Sequence, residues 1–323
     1  MTEASESELT EQSKTERFLA RLNQGLLIGD GAMGTMLEAA GLPAGACREL
    51  WNVEQPDQVA AVHRAYIEAG SDIIETNTFF GGNRVQLRKW GLEERVVEFN
   101  QAAVRLARAA AGDRVIVSVS MGPTGEVLAP LGNLDPEQAA EAFREQAAAA
   151  AEAGADAATV ETFYALEEIK LAVETAVAAG LPVMATMTFE PSGRTMMGVA
   201  PADAARALTD YGATVIGANC GTGPDAMLAV VEAMLAATDR PVMVQPNAGM
   251  SRLVGGKTVF PETPESMAEY AERFAEMGVK IIGGCCGTGV RIIGGCCGST
   301  PDHIRAIAQR LKSRESSPVQ GEN

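Results

Sequence analysis

Positive charge is scarce in this chain: 26 Lys and Arg stand against 42 Asp and Glu over 323 residues, a formal net charge of −16. Nucleic acid and anionic membrane surfaces both call for a basic face, so neither is expected as a partner. No apolar run reaches the roughly 18 to 20 residues of a membrane span. The opening MTEASESELTEQSKTERFLA is polar and acidic, the reverse of a secretory leader. A cytoplasmic location is expected. Cysteine is also sparse, with six in the chain, too few for a disulfide scaffold. Two of them, Cys47 and Cys220, stand alone, whereas Cys285-Cys286 and Cys296-Cys297 are vicinal. Neighbouring Cα atoms lie only about 3.8 Å apart while a relaxed disulfide wants roughly 5.5 to 6 Å, so the pairs point to metal binding or thiol chemistry.

What the chain does have is an apolar content of 46% with 21% charged residues, which excludes disorder over the main body. Residues 1–14 and 313–323 are polar tails and are expected to be disordered; residues 15–312 form a single domain. Within it, short runs rich in Val, Ile and Met alternate with amphipathic stretches. The runs are LLIGDG (26–31), SDIIETNTF (71–79), RVIVSVSMG (114–122), ADAATVETF (155–163), LPVMATMTF (181–189), ATVIGANCG (213–221), RPVMVQPNAG (240–249) and VKIIGGCCG (279–287). The intervening helical patterns, among them a long one over 83–112, open on Pro or a short polar cap and close on Gly70, Gly112, Gly154, Gly180, Gly212 or Gly278. Strands that are apolar throughout suit a parallel sheet covered on both faces. Eight such units predict an α/β fold, a (β/α)8 TIM barrel.

In such a barrel the chemistry sits at the C-terminal ends of the strands. Those positions carry Asp30, Gly31 and Ala32 after strand one, Glu75 and Thr76 at strand two, Glu161 at strand four, Asn219 and Cys220 at strand six, Asn247 after strand seven and a GGCCG segment at strand eight. Three thiolates, one from strand six and two from strand eight, suit Zn²⁺ in a site that keeps its fourth position open. A free thiol of pKa near 8.5 is only about 3% ionised at pH 7, and metal coordination deprotonates it. The acidic side chains Asp30, Glu75 and Glu161 can pair with an ammonium, and exposed loop amides can cradle a carboxylate. The pattern describes an amino-acid pocket beside a thiol-activating metal.

The segments GDGAMGTML (29–37), IIETNTF (73–79), GPTG (122–125), VETFYALEE (160–168), GANCGTGP (217–224), QPNAG (245–249) and GGCCG followed by TPDHIRAI resemble the homocysteine S-methyltransferase family, in chain order over about residues 16–312. The resemblance implies transfer of a methyl group to a zinc-bound homocysteine thiolate, giving methionine, with no catalytic residue beyond the zinc site. It implies Cys220 and one vicinal pair as zinc ligands, with Asn247 as a fourth ligand before substrate binds. By the same resemblance Asp30 and Glu161 are expected near the homocysteine amino group, and amides at Gly31 and Ala32 are expected to hold its carboxylate. Glu75, Thr76 and Asn219 complete the substrate-facing set. The methyl donor is expected to be a small onium compound or a methyl-corrinoid on a separate protein, since no cobalamin or folate module is expected within these 323 residues.

One feature departs from the family pattern. VKIIGGCCGTG (279–289) is followed by a near copy, VRIIGGCCGST (290–300). Only one can be strand eight. The second copy, carrying Cys296 and Cys297, is favoured, because the first would then be an insertion on the face away from the chemistry. The alternative assigns Cys285 and Cys286. The duplication also keeps open a zinc- or thiol-binding barrel without turnover. A GxGxxG match at Gly29–Gly34 lacks the acidic partner of a dinucleotide site and is discounted. A Schiff-base barrel enzyme such as an aldolase is disfavoured, since no Lys ends a strand. His63 and His303 are expected at the surface or in caps, and Cys47 is expected to be incidental.

Overall fold

The computed structural model describes residues 13–249, 252–254, 257–285 and 298–315. Among them the elements run α1 (Lys14–Leu22), β1 (Leu27–Ile28), α2 (Met33–Ala39), α3 (Trp51–Glu54), α4 (Pro56–Ala69), β2 (Ile73–Glu75), α5 (Arg84–Leu87), α6 (Val96–Ala111) and β3 (Ile116–Met121). They continue with α7 (Pro136–Glu152), β4 (Ala157–Phe163), α8 (Leu166–Ala178), β5 (Val183–Met187), α9 (Pro201–Asp210), β6 (Val215–Asn219), α10 (Pro224–Leu235) and β7 (Val242–Gln245). A two-stranded antiparallel ribbon, β8 (Arg252–Val254) and β9 (Lys257–Val259), precedes α11 (Pro264–Glu276), β10 (Ile281–Ile282) and α12 (Pro301–Glu315). Eight strands form one parallel sheet in the order β2-β3-β4-β5-β6-β7-β10-β1. This is the (β/α)8 barrel that the alternation predicts. None of the helices is long and apolar enough to cross a membrane, among the described residues.

Short polar residues placed just after the helix-ending glycines start several strands. Asp72 donates its amide to Ile28 O (2.7 Å) and accepts Ile28 N on its carboxylate (3.0 Å), which joins β2 to β1 and closes the ring. Asp156 makes the same two bonds with Val117, at 2.8 and 2.9 Å, and Thr214 repeats them with Val183, at 2.8 and 3.3 Å. A side-chain oxygen thus replaces a missing ladder partner where each new strand begins.

Inside the ring the side chains stack in layers. Leu27, Ile73, Ile116, Ala157, Met184, Val215, Met243 and Ile281, one from each strand, pack together with Phe18 and Leu22 of α1. Only inward-facing residues can form such a set, so α1 plugs the bottom of the barrel, each of its two anchors contributing about 1.5–3 kcal/mol of burial. A capping box at Ser13 and Glu16 starts α1. Lys14 then donates to Ala155 O (2.8 Å) and Arg21 to Arg114 O (3.0 Å), tying the plug to the rim. Two residues up each strand, the inner face turns polar: Glu75, Ser118, Thr159, Thr186 and Gln245 are all buried. Two further up come Ser120, Glu161 and Asn219.

Four sequence expectations need correction. The long helix over 83–112 is broken into α5, two 3₁₀ turns and α6, because Gly91 takes a left-handed φ of 66°. The ordered ends reach past the expected boundaries: α1 begins at Lys14 and α12 runs through Glu315, while the rest of both tails lies outside the described residues. Strand eight is the first copy, not the second. Gly278 (φ 98°) ends α11 in a left-handed turn, and the chain passes at once into β10, whose Ile281 and Ile282 pair with Met243 and Val244 on one side and Leu27 and Ile28 on the other. The connection is as short as those entering β2, β4 and β6, which leaves no need for an insertion on the bottom face. The second copy, apart from 298–300, lies outside the described residues. Finally, His63 is fully buried in α4 and not at the surface. His303 does cap α12, accepting Thr300 N on Nδ1 at 3.2 Å.

Candidate active site

At the top of the barrel the strands deliver a polar cluster that is almost entirely shut off from solvent. Asp30 accepts Glu75 N at 2.9 Å, and Glu75 Oε1 accepts the Gln245 amide from across the barrel at 3.1 Å. Glu161 accepts Ser120 Oγ (2.6 Å) on one oxygen and Asn219 Nδ2 (3.1 Å) on the other. Burial pushes the Glu161 carboxyl well above the usual range, and repulsion from Glu75 adds to this, with smaller contributions from Asp30 and Cys220; the Ser120 bond opposes it. Such an assembly of acids in a dry site favours the arrival of a cation.

Cys220 and Cys285 meet beside this cluster, both buried and packed with Ala32. β7 lies between the two strands that carry them, and its end holds both: Cys220 N donates to Gln245 O (3.1 Å) and Cys285 N to Pro246 O (3.2 Å). Asn247, the next residue, is 1% exposed. Cys220 has a φ of 58° and Thr162 one of 67°. Left-handed backbone at a β-branched or bulky residue costs on the order of 1–3 kcal/mol and is retained where function demands a geometry. Gly221 follows, also left-handed; a Cβ there would lie 2.2 Å from Phe189 O.

The fold therefore gathers Asp30, Gly31, Ala32, Glu75, Thr76, Glu161, Asn219, Cys220, Asn247 and Cys285 at one end. Cys286, Cys296 and Cys297 lie outside the described residues. Two of the set have protein partners of their own. The Ala32 amide donates to Ser299 O at 3.3 Å, and Thr76 Oγ1 lies 2.7 Å from Thr78 Oγ1 and accepts Ser120 N at 3.2 Å. Cys47 sits elsewhere, 3.5 Å from Glu49 Oε2; burial and that neighbouring carboxylate push its thiol up to about 12, so it is inert near neutral pH. A cavity of about 640 Å³ opens at the opposite end, between α1 and the strand starts. Three of its four cations, Lys14, Arg21 and Arg108, already bind main-chain carbonyls around helix ends and strand starts, so it is a seam beneath the plug.

The sequence profile described as homocysteine S-methyltransferase matches residues 27–291 and again 287–311, so it covers most of the chain and restarts within the repeat. The chain belongs to the homocysteine S-methyltransferase family. The methionine synthase of Mycobacterium tuberculosis is 35% identical over 306 residues, covering 89% of this chain and 25% of that protein. That of Mycobacterium leprae is 35% identical over 310 residues, covering 90% and 25%. The chain thus spans about a quarter of the length of the curated relatives it matches. The metallated form of the homocysteine methyltransferase MmuM from Escherichia coli shares the fold, with a TM-score of 0.73 at 24% identity, covering 92% of this chain and 99% of that one. Its oxidized form gives 0.71.

Within this family framework, sequence reading missed Ser120, Thr186 and Tyr66. Ser118 and Ser120 alternate on one face of β3, a period-two signal hidden in a run that reads as apolar. Tyr66, fully buried in α4, sets its hydroxyl 3.0 Å from both Ala32 O and Ser299 O and so braces the loop after β1.

Proposed function

We propose that this barrel catalyses methyl transfer to the sulfur of homocysteine, giving methionine, with zinc held by Cys220, Cys285 and Cys286. The observation that carries the reading is the juxtaposition of two buried thiols with the Asp30, Glu75 and Glu161 carboxylates at a single barrel mouth. The donor set fits the metal. Two soft sulfurs on either side of β7, with the Cys286 thiol next in sequence and the Asn247 carboxamide oxygen, would supply a sulfur-rich donor set of the kind zinc prefers, the oxygen being the exchangeable member. When bound, zinc holds the substrate sulfur as thiolate near neutral pH. Glu161 and Asp30 take the substrate ammonium, which relieves the repulsion among the carboxylates. The loop at Gly31 receives the substrate carboxylate. The sulfur then attacks the donor methyl in line: the S–C bond forms as the donor's bond to carbon breaks, and its electron pair leaves with the donor. The donor is a small onium compound or a methyl-corrinoid on a separate protein.

Glu161→Gln and Asp30→Asn are each expected to weaken homocysteine binding by about 10- to 150-fold, the loss of a charge-assisted contact of roughly 1.5–3 kcal/mol, with zinc content unchanged. Normal binding by both variants would put the ammonium elsewhere. For the metal-free protein, Glu161→Gln should raise stability at pH 7. A carboxyl whose folded pKa is raised contributes stability below its unfolded pKa and loses it as pH rises, and Gln does not titrate.

Calorimetry tests the central step. Homocysteine added to the zinc-loaded protein should release about one proton near neutral pH, read from the dependence of heat on buffer ionisation enthalpy. Absence of any buffer dependence would mean that the thiol does not reach the metal. Turnover with a panel of methyl donors then separates the enzyme from a binding protein without turnover. The second reading draws on the repeat, whose extra residues fall between β10 and α12, next to Cys285.

A further inference from the structure

Asn219 lies at the end of β6, fully buried, between the two halves of the site. A carboxamide has two N–H donors and two acceptor positions, and here all four are engaged within the protein. Nδ2 donates to Glu161 Oε2 (3.1 Å) and Thr162 Oγ1 (2.7 Å), and it also lies 4.0 Å from Cys285 Sγ. Oδ1 accepts Thr162 N (2.9 Å) and Thr186 Oγ1 (2.8 Å). Each of the four positions thus has a protein partner.

Two of the four bonds grip a single residue, Thr162, by its amide and its hydroxyl. Thr162 is the left-handed residue of β4, and the pairing of β4 with β5 shifts register between Val160 and Phe163. This bulge aims Glu161, the residue before it. Asn219 also immediately precedes Cys220, the other left-handed residue. One side chain thus ties the carboxylate end of the pocket to the sulfur end.

We infer that Asn219 is a positioning residue: by pinning Thr162 in its left-handed turn it sets the separation between Glu161 and Cys220, and so selects the chain length of the amino-thiol bound between them. The inference rests on the proposed homocysteine reading. A substrate shorter by one methylene, cysteine, cannot span the same two anchors, and one methylene is worth about 10- to 200-fold in a fitted pocket.

The test uses the full zinc-loaded chain and four variants: Asn219→Ala, Thr162→Gly, the two combined, and Thr186→Val, which removes one bond to Asn219 without touching it. Zinc content, the Kd values of L-homocysteine and L-cysteine, and the urea midpoint are measured for each. Asn219→Ala should weaken homocysteine binding by about 10-fold or more, with cysteine affected less, so that the preference collapses. Glycine adopts positive φ without strain, so adding Thr162→Gly should recover at least threefold in homocysteine affinity and raise the urea midpoint. Thr186→Val should move affinity in the same direction by a smaller factor. Homocysteine binding within twofold of the parent in Asn219→Ala, or a double variant no better than Asn219→Ala in affinity and midpoint, would overturn the inference. If Asn219→Ala does not fold, Thr186→Val decides, an unchanged cysteine-to-homocysteine ratio counting against. If the unaltered protein binds no homocysteine, the functional reading fails. The urea midpoints, which involve no ligand, then decide alone whether Asn219 pins Thr162.

Discussion

Replacing Cys285 and Cys286 together by alanine is expected to abolish zinc retention and methyl transfer, whereas replacing Cys296 and Cys297 should leave both nearly intact. Ile281 and Ile282 of the first copy occupy the slot between β7 and β1, and Cys285 follows three residues later, packed with Cys220. One vicinal pair suffices to complete a three-sulfur set with Cys220, and the first pair follows the end of β10 directly. Loss of metal activation returns the substrate thiol to about 3% ionised at pH 7, so thiolate supply alone falls by on the order of 30-fold. Elemental analysis and single-turnover rates on the two double variants read the result. Zinc loss in the Cys296/Cys297 pair with retention in the other would place the second copy in the barrel.

The second large effect concerns His63. Neither ring nitrogen has a hydrogen-bond partner among the described residues, and burial, helped by Arg64, lowers the imidazole pKa to about 4 from 6.5. Above pH 6.5 both the folded and unfolded states hold it neutral. As pH falls from 6.5 toward 4, the unfolded chain gains a proton that the native state refuses, so native stability declines. Between pH 7.5 and pH 5 this amounts to about 2 kcal/mol. His63→Leu, close in volume, removes two unsatisfied polar atoms and should stabilise the protein by about 1–3 kcal/mol at pH 7.5. The gain should be about 2 kcal/mol larger at pH 5. Denaturant midpoints of parent and variant at the two pH values measure this. An equal difference at both would mean that His63 is protonated in the folded state.

The barrel was legible in the sequence because its signals are local. Apolar runs, glycine stops and proline starts each act over a few residues, and their eightfold recurrence leaves little freedom in topology. The same locality made the mouth readable: Asp30, Glu75, Glu161, Asn219, Cys220 and Asn247 all lie at or just past the C-terminal ends of strands, and a strand end in a closed barrel has one destination. His63 was legible too, since Val59, Val62 and Tyr66 share its helical stripe and are buried with it; histidine's polarity outweighed that periodicity in the reading.

Other questions could only be settled by tertiary structure. Two nearly identical segments have the same local propensity for strand, and the choice between them is made by a two-sided fit, β7 on one side and β1 on the other, with Gly278 leading directly into the first copy. The bonding of Asn219 was also out of reach. A carboxamide at a strand end reads as a ligand contact, and only the arrival of Glu161, Thr162 and Thr186 from two other strands fills its four hydrogen-bonding positions. Sequence determines which groups reach the mouth; the closure of the ring decides which of them bind one another and which are left for a substrate.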